Sequence, residues 1–356
     1  MWLTRLGTEL IKTLPAEPAH EASLKALKLG LGTPLYSAPD PPALATRLPI
    51  SGLDLSNPIG LAAGYDKNAQ VFTPLFKLGF GFVECGTVTP LAQAGNPRPR
   101  LFRLSPDKAV INRMGFNNQG LIPFTERFKQ APPRKGILGA NIGANKISQG
   151  AARIEDYIKG LQALWPYCDY ITINISSPNT PGLRGLQNKD ELKALLEACQ
   201  NTIADFEQRR PVFLKLAPDL DEEAILDIIT VVRGARSFLT GLIISNTTLE
   251  RPAHLKSAFK EEAGGLSGAP LLQRSTEVLR LFAKQVRGEF DLIGVGGISS
   301  GADAYLKIRA GAQAVQLYSA LVYGGPALVV QIKKDLVRLL KEDGYSQISQ
   351  AVGADL

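Results

Sequence analysis

Short apolar runs recur along the chain, each closed by glycine or small polar residues. Eight of them stand out: 57–61 (NPIGL), 81–85 (GFVEC), 137–142 (ILGANI), 170–174 (YITIN), 212–216 (VFLKL), 241–245 (GLIIS), 292–296 (LIGVG) and 314–318 (AVQLY). Helical spacing fills most of the intervals, for example 190–207 and 221–234. Continuous apolar strands separated by helices predict a parallel sheet covered on both faces. Eight such units fit a TIM (β/α)8 barrel, whose interior the apolar strands fill. A doubly wound sheet is the alternative. One interval, 87–136, is too long for a plain connection. There Leu101–Leu104 and Ala109–Asn112, joined by Ser-Pro-Asp-Lys, predict an excursion hairpin.

Ahead of the first strand the periodicity changes. Leu3, Leu6, Leu10 and Leu14 recur at helical spacing, Pro15 and Pro18 break the pattern, and Leu24, Leu27 and Leu31 resume it. Two short amphipathic helices are expected, followed by the proline-rich stretch Ala38-Pro-Asp-Pro-Pro42. The expected organisation is a helical domain over 1–37, a linker over 38–50, the barrel over 51–345 and a tail over 346–356.

With 356 residues, 45% hydrophobic and 21% charged, the chain is long enough for one barrel and a small appendage. No apolar run reaches the roughly 20 residues that span a bilayer. Cys85, Cys168 and Cys199 are widely spaced with no CxxC, which argues against a disulfide framework or a structural zinc site. Two histidines, His20 and His254, are too few for a histidine-rich metal centre, and no GxSxG elbow is present. The net charge of +7 suits phosphate-bearing ligands or an anionic membrane surface. No Lys/Arg run or basic-aromatic array points to nucleic acid.

The candidate chemistry lies at the C-terminal strand ends, where barrels place their active sites. Those ends carry Ala63-Gly-Tyr-Asp-Lys67, Thr87, Asn141, Asn174, Lys215, Ser245-Asn-Thr-Thr248, Gly296-Gly297 and Tyr318-Ser319. The segment Asn174-Ile-Ser-Ser-Pro-Asn-Thr-Pro-Gly182 adds a cluster of small polar groups held by two prolines, suited to a planar, heavily hydrogen-bonded ligand. Gly296-Gly297 after the seventh strand and Tyr318-Ser319 after the eighth fall where such barrels bind phosphate, and the bare glycines let backbone N–H groups approach the anion. Lys215 admits two readings: a charge beside a bound ring, or the nucleophile of an aldolase-type Schiff base.

Ten ordered motifs tie these positions together: LAAGYDKN (61–68), ECGTVTP (84–90), PRLFRL (99–104), INRMGFNN (111–118), NISSPNTPGLR (174–184), KLAPDL (215–220), SNTT (245–248), GGLSG (264–268), GVGGI (294–298) and QLYS (316–319). Together with PAHE (18–21) and GTP (32–34), they resemble the dihydroorotate dehydrogenases, in their membrane-associated, quinone-reducing class 2. The resemblance implies FMN across the barrel mouth, contacted by Ala62, Ala63, Gly64, Tyr65, Asp66, Lys67, Thr87, Asn141, Asn174, Lys215, Ser245, Gly268, Gly297, Tyr318 and Ser319. It places dihydroorotate against Lys67, Asn112, Arg113, Met114, Gly115, Phe116, Asn174, Asn179, Asn246 and Thr247. Several asparagines and one lysine suit a ring with amide-like edges and a carboxylate.

The implied reaction removes a proton from C5 while hydride leaves C6 for flavin N5. Ser177 takes the part of the base, with Thr180 and water as a relay for its proton. The soluble classes carry cysteine there, so serine points to the quinone class. The Pro/Gly-rich loop 178–185 is read as a lid. Two positions depart from the family pattern: Ser245 stands where threonine is expected, and Tyr65 replaces an aliphatic residue.

For reoxidation, no GxGxxG unit for NAD and no cysteine cluster for an iron–sulfur wire is evident. A membrane quinone is therefore expected, with the N-terminal helices as its entrance, and the resemblance implies that His20 and Arg103 sit near it. The expected protein is a monomer, peripheral on the cytoplasmic face of a bacterial inner membrane, with no metal. The alternatives are a soluble fumarate- or NAD-linked dihydroorotate dehydrogenase, and a non-catalytic phosphate-binding barrel or membrane scaffold.

Overall fold

Eight parallel strands close on themselves in the computed structural model, which describes residue 7 and residues 9–31, 39–134 and 136–356. They are β1 (Ile59–Leu61), β2 (Phe82–Val88), β3 (Ile137–Ile142), β4 (Tyr170–Asn174), β5 (Val212–Leu216), β6 (Leu239–Ile244), β7 (Asp291–Val295) and β8 (Ala314–Leu317). Each pairs with its sequence neighbour, and Val315 of β8 lies opposite Ile59 of β1 to complete the ring. The expected TIM barrel is the fold observed, with strand boundaries moved by no more than three residues. Helices such as Lys189–Ala204 and Glu222–Gly234 cover the outside through leucines and isoleucines that are almost wholly buried.

Large and small residues alternate across the interior. Phe82, Tyr170 and Phe213 reach inward from β2, β4 and β5, each at most 2% exposed. Glycines on adjoining strands make room for them. A Cβ on Gly60 would lie 2.3 Å from the Phe82 ring, one on Gly139 2.1 Å from Tyr170, and one on Gly241 2.3 Å from Phe213. The lower end is sealed by a two-stranded ribbon, Thr46–Arg47 with Asp54–Leu55, which inserts Leu48 and Leu55 into the same apolar cluster. The backbone N–H groups of Ile50 and Ser51 donate to the Asp291 carboxylate at 3.1 and 2.7 Å. The stretch read as a linker thus carries buried Leu44 and Leu48. In the tail, Ile348 and Ala351 pack into the main core.

The excursion hairpin forms as expected from Leu101–Leu104 and Ala109–Asn112. A third antiparallel strand, Gly265–Gly268, which the apolar runs did not single out as a strand, lies against Ala109–Asn112. A Cβ on Gly265 would stand 1.9 Å from Thr247 Oγ1, so glycine alone fits there.

The N-terminal region needs one correction. Pro18 does not break a helix; it sits in the first turn of the helix Ala16–Lys28, where its missing N–H has no intrahelical partner to lose. Only Pro15 marks a boundary. Glu17 anchors this helix: its carboxylate lies 2.8 Å from Arg100 Nη2, with both side chains at most 10% exposed. Of the first expected helix, Leu3 and Leu6 lie outside the described residues; Leu10 is 71% and Leu14 41% exposed. The three cysteines are free and buried, and burial raises every thiol pKa.

Candidate active site

The strand ends open into a single cavity of about 1040 Å³, which runs from the barrel mouth to the N-terminal helix. Its floor is a polar network built from inward-pointing strand residues. Asn174, ending β4, donates from Nδ2 to Thr87 Oγ1 at 2.9 Å and to Asn141 Oδ1 at 3.1 Å. Asn141 Nδ2 donates to Glu84 Oε1 at 2.7 Å. The Glu84 carboxylate, fully buried, also accepts from Tyr170 and Thr172 hydroxyls, each at 3.0 Å, and from Gln316 Nε2 at 2.9 Å. Four donors hold this carboxylate in place, and among the described residues no cation forms an ion pair with it.

Beside the network, Lys215 reaches the cavity from β5. It is 4% exposed and donates no hydrogen bond to any described residue. Desolvation lowers its pKa, and the nearby Glu84 charge opposes that shift. Gln316 Oε1 and Thr247 Oγ1 are likewise buried, with no partner among the described residues. Unsatisfied buried groups of this kind are what a polar ligand completes.

The hairpin, the Asn174 loop and the β6 end form one wall. Asn179 Nδ2 donates to Asn112 Oδ1 at 3.2 Å, and Asn246 Nδ2 donates to Ser176 Oγ at 3.0 Å. Ser177 Oγ accepts the Asn179 N–H at 3.2 Å, while Thr180 Oγ1 close by is buried without a partner. Lys67 Nζ donates to Gly64 O at 2.7 Å, and burial brings its ammonium down to about 8. The 178–185 loop is tied at its middle and near its end. Arg184 reaches Ser176 O, Asp219 and Thr247 O, and Arg153 reaches Pro181 O and Gly182 O.

At the far side Gly268, Gly296, Gly297 and Ser319 line a small recess, with Ser319 Oγ 2.8 Å from Ser267 Oγ. Toward the N-terminal helix the wall becomes apolar, through Leu10, Ile11, Ala19 and Leu27. His20 meets Tyr65 edge-on at 5.2 Å, and Tyr65 meets Tyr318 at 5.5 Å. The Tyr65 hydroxyl, new at a position expected to be aliphatic, lies 3.0 Å from Ser23 Oγ. Burial and the Lys67 charge push the half-buried His20 down to about 3. Arg103 lines this end and donates to Lys12 O at 2.6 Å.

Nearly all the sequence-predicted positions therefore share one cavity, including Ala62, Ala63, Gly64, Met114, Gly115, Phe116 and Ser245. Three stand back from it. Asp66 accepts the Gln70 and Val71 N–H groups, each at 2.7 Å, and so shapes the loop that presents Lys67. Asn141 supports the floor from below. Arg113 turns outward, to Glu262 at 2.7 Å and over the Phe102 ring. Glu84 and Gln316 went unremarked as site residues, although a charged or amide side chain inside an apolar strand is itself a signal. Among the described residues, no group of three or more His, Cys, Asp or Glu could hold a metal ion.

A closed (β/α)8 barrel with unsatisfied polar groups gathered at its C-terminal mouth has the architecture of a barrel enzyme. The family model for dihydroorotate dehydrogenase matches residues 44–340, and the chain belongs to that family. It is 52% identical to the dihydroorotate dehydrogenase (quinone) of Xanthobacter autotrophicus, over 98% of this chain and 97% of the relative. The mitochondrial dihydroorotate dehydrogenase (quinone) of Oryza sativa subsp. japonica is 46% identical, over 99% of this chain and 81% of that protein. Among solved structures, DHODH of Eimeria tenella in complex with ferulenol superposes with a TM-score of 0.89. That pair shares 38% identity and covers 96% of each chain.

Proposed function

We propose that this protein oxidises dihydroorotate to orotate, holding FMN at the barrel mouth and passing electrons to a membrane quinone, in the de novo synthesis of pyrimidines. The observation that carries this reading is the single cavity with two unlike ends: a wall of asparagines, Lys67 and Ser177, and an apolar end closed by the N-terminal helix. Both 52% identity to a quinone-linked relative and the serine at 177 favour quinone over fumarate or NAD.

The donor set fits FMN. Lys215, Gln316 and Thr247 offer buried polar atoms that lack protein partners. The glycine-rich recess beside Ser319 suits a phosphate, because its bare backbone lets N–H groups come close. When bound, the flavin supplies a two-electron acceptor for the substrate's hydride. Lys215 supplies a positive charge beside it, which favours the form that carries negative charge.

On the substrate side, Lys67 would receive the carboxylate, whose charge keeps the ammonium protonated despite its burial. Asn112, Asn179 and Asn246 would orient the ring through its amide-like edges. Ser177 Oγ would then take the C5 proton while releasing its own hydroxyl proton to the relay. The Asn179 N–H stabilises that oxygen, and the unpartnered Thr180 hydroxyl offers the proton's next stop.

Quinone would enter past Leu10, Leu27 and His20. The exposed Leu10, Leu29 and Leu31 beside this opening suit shallow docking on the cytoplasmic face of a bacterial inner membrane. Among the described residues, no helix is long and apolar enough to cross a membrane. Every group invoked comes from one chain, so a monomer suffices.

The test is a visible spectrum of purified protein under anaerobic dihydroorotate, followed by a ubiquinone analogue. Bleaching of a flavin band and recovery on quinone are expected, with the S177A variant bleaching about 10²–10⁴-fold more slowly. Colourless protein, or a flavin that dihydroorotate leaves oxidised, overturns the proposal. Recovery with fumarate or NAD alone overturns its quinone half.

A further inference from the structure

One fully buried cation takes no part in the reading so far. Lys307, on the helix Gly301–Arg309, is 0% exposed. Its Nζ donates to Ser275 Oγ at 2.8 Å and Thr276 Oγ1 at 3.0 Å, and no carboxylate forms an ion pair with it among the described residues. A buried ammonium satisfied only by hydroxyls is costly to keep charged. Burial pushes it down to about 7, against the opposing charge of Asp303 one turn earlier on the same helix.

Ser275 connects it to the recess. Its Oγ also lies 3.0 Å from Gly296 O and 3.1 Å from Leu272 O, and its one proton serves Gly296 at the shorter distance. In a trans peptide, C=O and N–H point in opposite directions. Holding the Gly296 carbonyl from behind therefore turns the Gly297 N–H away from Ser275, and Gly297 lines the cavity. That N–H donates to no described residue. Gly297 is fixed as glycine by its φ of +81° and by Leu272, whose Cα lies 2.4 Å from where a Cβ would be.

We infer that Lys307 is a positioning residue for the phosphate end of the flavin: through Ser275 it fixes the Gly296–Gly297 peptide, and it sets a positive charge behind the recess. The inference rests on the FMN reading above. A dianion in front of the peptide favours the charged amine, so phosphate binding and Lys307 protonation support one another. As pH rises above about 7, free protein loses this charge and its affinity for the phosphate end falls.

Deflavinated protein titrated with FMN and with riboflavin, which lacks the phosphate, separates the possibilities by flavin fluorescence. Wild type should bind FMN more tightly than riboflavin, with the margin shrinking between pH 7 and 9. In K307M the FMN dissociation constant should rise roughly tenfold while that of riboflavin stays put, and the pH dependence of the margin should vanish. S275A, which keeps the lysine but removes both its link to Gly296 and one of its two hydroxyl partners, should also narrow the margin, and it decides the matter if K307M does not fold. Equal losses for both flavins in these variants, or no loss for either, overturn the role of Lys307. Equal binding of FMN and riboflavin by wild type overturns the phosphate recess itself.

Discussion

Asn179 and Asn112 meet across the candidate substrate wall, Nδ2 to Oδ1 at 3.2 Å, although 67 residues separate them in sequence. One comes from the loop after β4 and the other from the end of the excursion hairpin. Their contact joins two segments that a plain barrel would leave apart. Each amide has further donor or acceptor capacity to offer a ligand.

Because they act as a pair, their removal should not be additive. N112A and N179A are each expected to raise the KM for dihydroorotate by roughly 10–100-fold, the cost of unpaired polar groups. The double variant should cost less than the product of the two. Steady-state kinetics on the four proteins measures this, and strict additivity would show that the amides act independently.

Glu17 should be felt at a distance. E17Q leaves Arg100 buried without its counter-charge, a change expected to cost about 3 kcal/mol in urea unfolding. The helix Ala16–Lys28 loosens, so flavin reoxidation by quinone should slow more than flavin reduction by dihydroorotate. Equal slowing of both half-reactions in stopped flow would refute the assignment of this helix to the quinone end. Although burial raises it, Arg100 holds the Glu17 pKa below the ordinary carboxylate value. The pair's contribution is accordingly present at neutral pH and is lost as pH falls through that lowered pKa.

His20 gives a second pH signature. Its folded value of about 3 lies below the ordinary 6.5, so the unfolded chain takes up its proton first. Stability is full above pH 6.5 and declines as pH falls toward 3, by roughly 1–2 kcal/mol at pH 5. Urea unfolding of wild type and H20N at pH 7 and pH 5 should reveal a smaller decline in the variant. An identical decline would mean that the histidine is not desolvated.

The interior tolerates little added volume. G139A places a methyl 2.1 Å from Tyr170 Cζ, and Tyr170 is held by Glu84, so the ring cannot simply turn aside. A loss of about 1–3 kcal/mol is expected from overpacking. Unchanged thermal stability would show that the layer has slack.

These interior relations mark the limit of what the sequence discloses. Alternating apolar runs and helices specify the barrel, because a doubly covered strand has to be apolar throughout. Strand-end residues are legible as chemistry because folding alone does not call for Asn174 or Lys215 there. The partnership of Gly139 with Tyr170 was hidden, since it depends on neighbouring strands and their register. Pro18 misled because a proline reads as a breaker unless the helix start is known. Arg113 was carried into the site by its neighbours Asn112 and Met114, yet the strand ends at Asn112 and the Arg113 side chain turns away to Glu262.

The burial of Cys85, Cys168 and Cys199 has a practical consequence. With every native thiol out of solvent and held protonated, the folded protein presents no reactive sulfur to an alkylating reagent. A single cysteine placed at exposed Leu10 would then be the sole site for a maleimide dye. The native sequence thus accepts a fluorophore at the rim of the apolar opening without any prior cysteine deletion, so contact with lipid can be watched on the otherwise unaltered enzyme.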